Sequence, residues 1–484
     1  MSKKMNLVVA LIGMCALSLF LLNCGSSSSR PSGVLYVLTQ GSNGIGNNVT
    51  SFAIDLNSGN LSLVNSNAAT CKTPGACGAP LDILLDPAGA NAFVLNQGSR
   101  CQEVFNSQTL VWECDPTANP PVLPTIYPYT VNSDGSLSAP GTAVSWTCAG
   151  LNLSPSPCSD NPVAMGRDGA GQFLFVIDQG SFPTPGYPTP SPTNPSCPHV
   201  PTSQTDVCPS ISVFAIKGST LTLASGSPFY LSKTPTGLSA INFTPSGSTM
   251  AQELLFVTNN QDICSQNCIP PSPHNDNTVS VYTVSSSGVL TEQTNSPYAV
   301  AAVNPVSVLA VNTNPAGVAN IGGLFVYVGN QGSGSGALNP FQVCTVQNTV
   351  CSQQQVAQNL MVPLTCPPEP SCSVSAGQNP VAMAVDPTNN FLYVVSEGTS
   401  QLFGFKIATT AGTLTTLNPP NQGTGSQPVA LALHPTVNNT GQFLYVSNSN
   451  SSNISGFTLD TTTGSMSTPF TVDAPAAPSG LAVH

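Results

Sequence analysis

Charge is what this sequence has least of. Among 484 residues there are 9 basic and 20 acidic side chains, where an ordinary soluble domain carries about a quarter charged residues. All 20 acids follow the N-terminal 33 residues, but only Lys72, Arg100, Arg167, Lys217, Lys233 and Lys406 accompany them, leaving this body near −14. So acidic a surface excludes nucleic acid as a partner, because phosphate backbones are held by clustered Lys and Arg. A phosphorylated substrate meets the same objection. Of the six cations only Arg167 falls on an expected inner strand. No CxxC pair occurs and no His sits at ligand spacing from two Cys pairs, which leaves zinc weakly supported. Calcium has no dense Asp/Asn ligand loop, since the expected loop acids Asp134, Asp178, Asp262 and Asp276 are scattered. No GxSxG elbow accompanies the many serines. The sequence implies no cofactor.

What is present is repetition. An aromatic or aliphatic pair followed by Val returns as Leu35-Tyr36-Val37, Ala92-Phe93-Val94, Leu174-Phe175-Val176, Leu255-Phe256-Val257, Phe325-Val326-Tyr327-Val328, Leu392-Tyr393-Val394 and Leu444-Tyr445-Val446. A period of roughly 50 to 80 residues built from strand formers points to a β-propeller with one blade per repeat. A whole repeat reads from Asn379-Pro380: Val381 to Val385, an Asp386-Pro387 turn, Phe391 to Ser396, Gln401 to Ile407, and a strand opening at Gly412-Thr413-Leu414. The 45 Pro and 41 Gly punctuate such segments, as turns do. Val34 to Val37 reads as a second strand lacking a first, and Pro478 to His484 as a first lacking a second. The expected fold is therefore all-β: a seven-bladed β-propeller of four-stranded antiparallel blades, its ring closed by the C-terminal strand joining the N-terminal blade.

The N-terminus reads as an export signal. Lys3 and Lys4 precede an apolar run, Leu7 to Leu22, that ends in Leu21-Leu22-Asn23-Cys24. Residues 1–24 are expected to be a lipoprotein-type signal peptide with Cys24 lipidated, 25–33 a Ser-rich tether and 34–484 the propeller. Asn23 departs from the usual small residue before the Cys, and an uncleaved anchor is the alternative. The expected location is the bacterial cell envelope, with a membrane partner through the lipid and a monomeric body.

Fourteen cysteines remain besides Cys15 and Cys24, in close neighbours: Cys71–Cys77, Cys101–Cys114, Cys148–Cys158, Cys197–Cys208, Cys264–Cys268, Cys344–Cys351 and Cys366–Cys372. Seven local disulfides are the economical pairing in an oxidising compartment. With strands named A to D from the axis outward, six pairs fall in B–C or D–A connections, which share one face; only Cys344–Cys351 crosses a C–D hairpin. A protein or glycan partner is expected on that stapled face, although the staples also serve simply to order long loops.

The seventh position after the Pro that opens strand A is Asp86, Asp168, Asp386, His434 or His484. A circle of these at one channel mouth makes Arg167, Asp168 and His434 candidates for catalysis, and Asp86, Asp386, His434 and His484 candidates for a metal. Turn chemistry is the simpler account of the Asp members, which accept N–H bonds at the start of a β-turn. Gln40-Gly41, Gln97-Gly98, Gln179-Gly180 and Gln331-Gly332, after the second strand, read as turns too.

Asn161-Pro162-Val163-Ala164, Asp386-Pro387 and Phe391-Leu392-Tyr393-Val394-Val395 resemble the seven-bladed lactonase-like propellers and the related YVTN-type surface repeats. The resemblance covers nearly everything after the tether and implies a 6-phosphogluconolactonase-like fold. Relatives use His, Arg and Glu around the central funnel, but no segment here matches those sites. The primary expectation is therefore a binding or interaction scaffold, and the alternative a lactone hydrolase with its site in the funnel. Peptide mapping without reduction is expected to find seven short-range links; a cross-link between distant blades contradicts the pairing.

Overall fold

A computed structural model describes residues 33–484 except 42–46, 73–77, 99–102, 107–110, 115–123, 146–160, 180–208, 232, 245–250, 263–276, 314–322, 333–335, 346–350, 353–354, 356–359, 369–370 and 436–440. Seven antiparallel sheets form the blades, and their innermost strands are Ala477–Val483, Pro80–Leu85, Pro162–Arg167, Lys233–Phe243, Pro305–Asn312, Pro380–Val385 and Pro428–Leu433. Each of these touches the next, and the last touches the first, so the ring is closed. Blade 1 joins both ends of the chain: Ala477–Val483 pairs with Val34–Gln40, which continues outward through Asn48–Ile54 to Leu61–Ala69. Val34 and His484 exchange backbone hydrogen bonds of 3.0 Å in both directions. Blade 2 carries an extra hairpin, Glu103–Asn106 with Val111–Cys114.

Each inner strand carries a Pro among its first three residues and slips register immediately after it or opposite it. The residue two places on is Gly480, Asp82, Ala164, Gly237, Ser307, Ala382 or Ala430. Small residues are needed because this position abuts the next blade. A Cβ on Gly237 would lie 3.1 Å from the Val306 carbonyl oxygen, and one on Gly480 3.3 Å from that of Leu81. Asp82 is the exception in this set.

The apolar residues form seven clusters, each shared by two neighbouring blades. The core of this molecule thus lies between blades, and the repeated phrase supplies it. Tyr445 Oη donates to the Gly59 carbonyl of the following blade at 2.8 Å. Tyr36 makes the same bond to Gly135, Tyr327 to Gly412 and Tyr393 to Gly464, at 2.8–3.0 Å. Every acceptor is a glycine with positive φ in a C–D hairpin. Two residues before three of these tyrosines, Phe443, Phe325 and Phe391 lie flat on the same glycine, where a Cβ would come within 2.4 Å of the ring. Phe93, Phe175 and Phe256 hold the latch position in blades 2, 3 and 4, so three seams lack the hydroxyl.

Cys344–Cys351 links strand C of blade 5 to the connection beyond it, as expected. Cys366–Cys372 also forms, but its place differs. The outer strand of blade 5 is split into Met361–Pro363 and Val374–Ser375, both paired with Ala337–Val343, and the disulfide pins the excursion between them. This pair therefore sits on the outer rim rather than in a D–A connection. Cys71 is disulfide-bonded; its expected partner Cys77 lies outside the described residues, as do Cys24 and one or both members of the other pairs.

Tyr445→Phe is expected to lower stability by about 1 kcal/mol, one hydrogen bond, measured by denaturant unfolding. Gly59→Ala combines strain at φ 75° with a clash on Phe443 and is expected to cost more, about 2–3 kcal/mol.

Candidate functional site

Four of the five seventh-position residues occupy separate A–B turns, and His484 follows the inner strand of blade 1 at the chain's end. Asp86 Oδ1 accepts the Ala90 N–H at 2.7 Å and Oδ2 the Asn91 amide at 2.6 Å. Asp386 Oδ1 accepts from Asn390 and Phe391, and its Oδ2 from the Thr388 N–H and hydroxyl. Asp168 Oδ1 accepts the Phe173 N–H at 2.8 Å, and Arg167 Nη1 donates to the Asp168 carbonyl at 3.2 Å. His434 is fully buried, its ring against Gly33 of the next blade. His484 lies over Gly89 of blade 2, with Nε2 3.1 Å from the Ala88 carbonyl. Among the described residues, no three His, Cys, Asp or Glu side chains gather closely enough to hold a metal ion. The two histidines each lay a ring against a glycine of the following blade.

Two sequence expectations need correction. Lys233 also opens an inner strand, because that of blade 4 runs Lys233–Phe243. Asp178 and Asp262 end strands rather than lying in loops, and Asp178 is buried.

The opposite face, where the B–C and D–A connections meet, carries a belt of amides around the ends of the inner strands. Gln40 Nε2 donates to the Pro80 carbonyl and Gln179 Nε2 to that of Pro235, both at 3.1 Å, each reaching the next blade. Gln97 reaches Asn161 of blade 3, and Asn161 in turn donates to Gln179. In blade 6, Glu397 accepts from Asn379 and from Gln427 of blade 7. Three of the four Gln-Gly recurrences thus do more than turn the chain: the side chains of Gln40, Gln97 and Gln179 tie blades together, whereas Gln331 accepts from Asn304 of its own blade.

Just inside this belt lies Asp82, the one acid on the seven innermost strands. Its position admits only small side chains elsewhere, so its carboxylate is thrust between inner strands. One oxygen accepts the Ile83 N–H at 2.8 Å, the other the Met165 N–H of blade 3 at 3.1 Å. It remains partly accessible. Desolvation is the dominant influence and lifts its pKa to about 6, against the two backbone donors that lower it. Sequence reading passed over Asp82 because a lone acid among apolar residues resembles a solvent-facing strand position. The signal was its place two residues after Pro80, where the other repeats have Gly, Ala or Ser.

Glu253, at the start of strand B in blade 4, is the second carboxyl with a raised pKa. Burial, then the nearby Asp168 charge, raises it to about 7.

These features define a seven-bladed propeller with an amide-rimmed opening and one carboxyl among its inner strands. In architecture it is a propeller of the lactonase-like type. Over 95% of the chain it is similar to a 6-phosphogluconolactonase candidate from Bacteroides fragilis, 99% of which is covered at 15% identity and a TM-score of 0.56. A periplasmic gluconolactonase from Pseudomonas aeruginosa matches over 93% of this chain and 99% of its own, at 14% identity and a TM-score of 0.57. At such identities the likeness establishes the fold. No protein-family model matches the sequence, and no curated protein does.

Because the folded state holds the Asp82 proton above the ordinary carboxyl range, its contribution to stability is full below about pH 4 and is lost as pH rises through about 6. Asp82→Asn is expected to flatten that part of the stability–pH profile and to raise stability at pH 8 by about 1–3 kcal/mol. Thermal unfolding across pH 4–8 measures it; a wild-type profile that rises steadily over this range contradicts it.

Proposed function

We propose that the protein is an exported propeller that hydrolyses an uncharged lactone at the amide-rimmed opening, with Asp82 as general base. The observation that carries this reading is Asp82 itself: a partly accessible residue on an inner strand whose desolvated carboxyl has its pKa raised to about 6. Such a group ionises just below neutral pH while remaining a stronger base than an ordinary Asp, which suits proton abstraction from water. The ionised carboxylate takes a proton as water attacks the lactone carbonyl carbon. The acyl C–O bond of the ring then breaks, and the proton passes to the departing ring oxygen to give a hydroxy acid. Ile83 and Met165 N–H groups hold the carboxylate in place. The amide belt supplies donors and acceptors for hydroxyl groups without charge.

The acidic body disfavours a phosphorylated lactone, and the similarity to a periplasmic gluconolactonase supports an unphosphorylated one. Two formed disulfides support an oxidising compartment, and the Leu21-Leu22-Asn23-Cys24 ending supports a lipid anchor at Cys24. A second reading, a scaffold for a protein or glycan partner, draws on the long B–C connections of consecutive blades, residues 97–124, 179–209 and 263–277, where residues 449–452 suffice in blade 7.

Purified protein assayed on uncharged and phosphorylated lactones is expected to turn over the uncharged class, with kcat/KM rising through about pH 6. Asp82→Asn is expected to cost about 100-fold or more without loss of fold. Turnover of no lactone, or full activity in Asp82→Asn, overturns the assignment; specific capture of a glycan or protein by an inactive propeller favours the scaffold.

A further inference from the structure

We propose that the seam between blades 3 and 4 is a pH-operated joint: Glu253 faces Asp168 across it with both carboxylate oxygens buried and unpartnered, and its ionisation loosens the seam. Glu253 lies on strand B of blade 4, opposite Asn242 on the inner strand and Val284 on strand C. The A–B turn of blade 3 packs against that pair. A Cβ on Gly169 would lie 3.5 Å from Asn242 Cβ, and one on Gly166 2.2 Å from Leu238 Cδ1. Neither Glu253 oxygen has a partner at hydrogen-bonding geometry. The Gly169 N–H and Asn242 amide approach closely enough to favour the ionised form a little.

The charged groups at this contact are Asp168, whose carboxylate repels that of Glu253, and Arg167, whose guanidinium is turned to the Asp168 carbonyl. A protonated Glu253 removes the repulsion and needs less solvation, whereas an ionised one is stranded. Opening the seam gives that carboxylate water. The closed seam therefore holds a proton that the open seam releases, so it is tightest below the ordinary carboxyl range and loosens as pH rises toward about 7.

This seam is also one of those least able to resist. Phe175 stands at the latch position, where Tyr393 and Tyr445 secure seams 6/7 and 7/1. The contact belongs to the A–B face, away from Asp82, and its behaviour is independent of any hydrolytic activity.

Hydrogen–deuterium exchange on the full chain at pH 5 and pH 8, corrected for intrinsic rates, tests the joint. Peptides spanning 162–178 and 252–262 are expected to lose tenfold or more of their protection at pH 8, while those spanning 443–459 do not. Glu253→Gln is expected to abolish the difference, and Asp168→Asn, which removes the repelling charge, to move its midpoint to lower pH. Equal pH response at both seams, persistence of the response in Glu253→Gln, or a midpoint left unmoved or raised by Asp168→Asn overturns the proposal.

Discussion

Everything in this ring depends on how one blade grips the next. Each sheet is too thin to bury its own faces, and the apolar residues of neighbouring blades make one cluster between them. The Tyr hydroxyl and the Phe two residues earlier engage the same glycine of the following hairpin. That hairpin is shaped for the contact: Gly59 N–H bonds to the Asp55 carbonyl and Gly464 N–H to that of Asp460, both at 2.7 Å. Desolvation pushes the phenols of Tyr327, Tyr393 and Tyr445 well above their usual range, so the hydroxyl stays a donor. A glycine is required twice over, by its positive φ and by the ring lying on it. Shape at the seams, more than burial within a sheet, holds the blades in place.

Much of this was legible in the sequence because the signals repeat. The phrase Phe391-Leu392-Tyr393-Val394 announces strand B, and the structure places that strand at Phe391–Ser396. The partial repeats at Val34 and Ala477 combine into one blade. What could not be read was the partner of each signal. The tyrosine gives a strand its aromatic face, but its hydroxyl bonds to a residue of another repeat, 386 positions away for Tyr445 and Gly59. Likewise the amide of Gln179 looks like turn chemistry until the Pro235 carbonyl of the next blade is seen beside it.

The site was less legible for the same reason. Asp86, Asp168 and Asp386 attracted notice by recurring, and recurrence in a propeller marks scaffold: each accepts N–H bonds within its own turn. The carboxyls with raised pKa values break the repeat. Asp82 stands where other blades have Gly, Ala or Ser, and Glu253 is the second residue of a strand whose counterparts all have an apolar residue there. In a repeat protein the repeat specifies the ring, and departures from it mark the places with chemistry to spare.

The closure of blade 1 bears on how the ring comes into being. Ser479 donates to the Pro80 carbonyl across 399 residues of chain, and Ala477–Val483 supplies the inner neighbour of Val34–Gln40. Until that strand arrives, an incomplete ring carries two complementary unpaired edges, one at either end of its arc. Such edges pair as readily with a second chain as with their own.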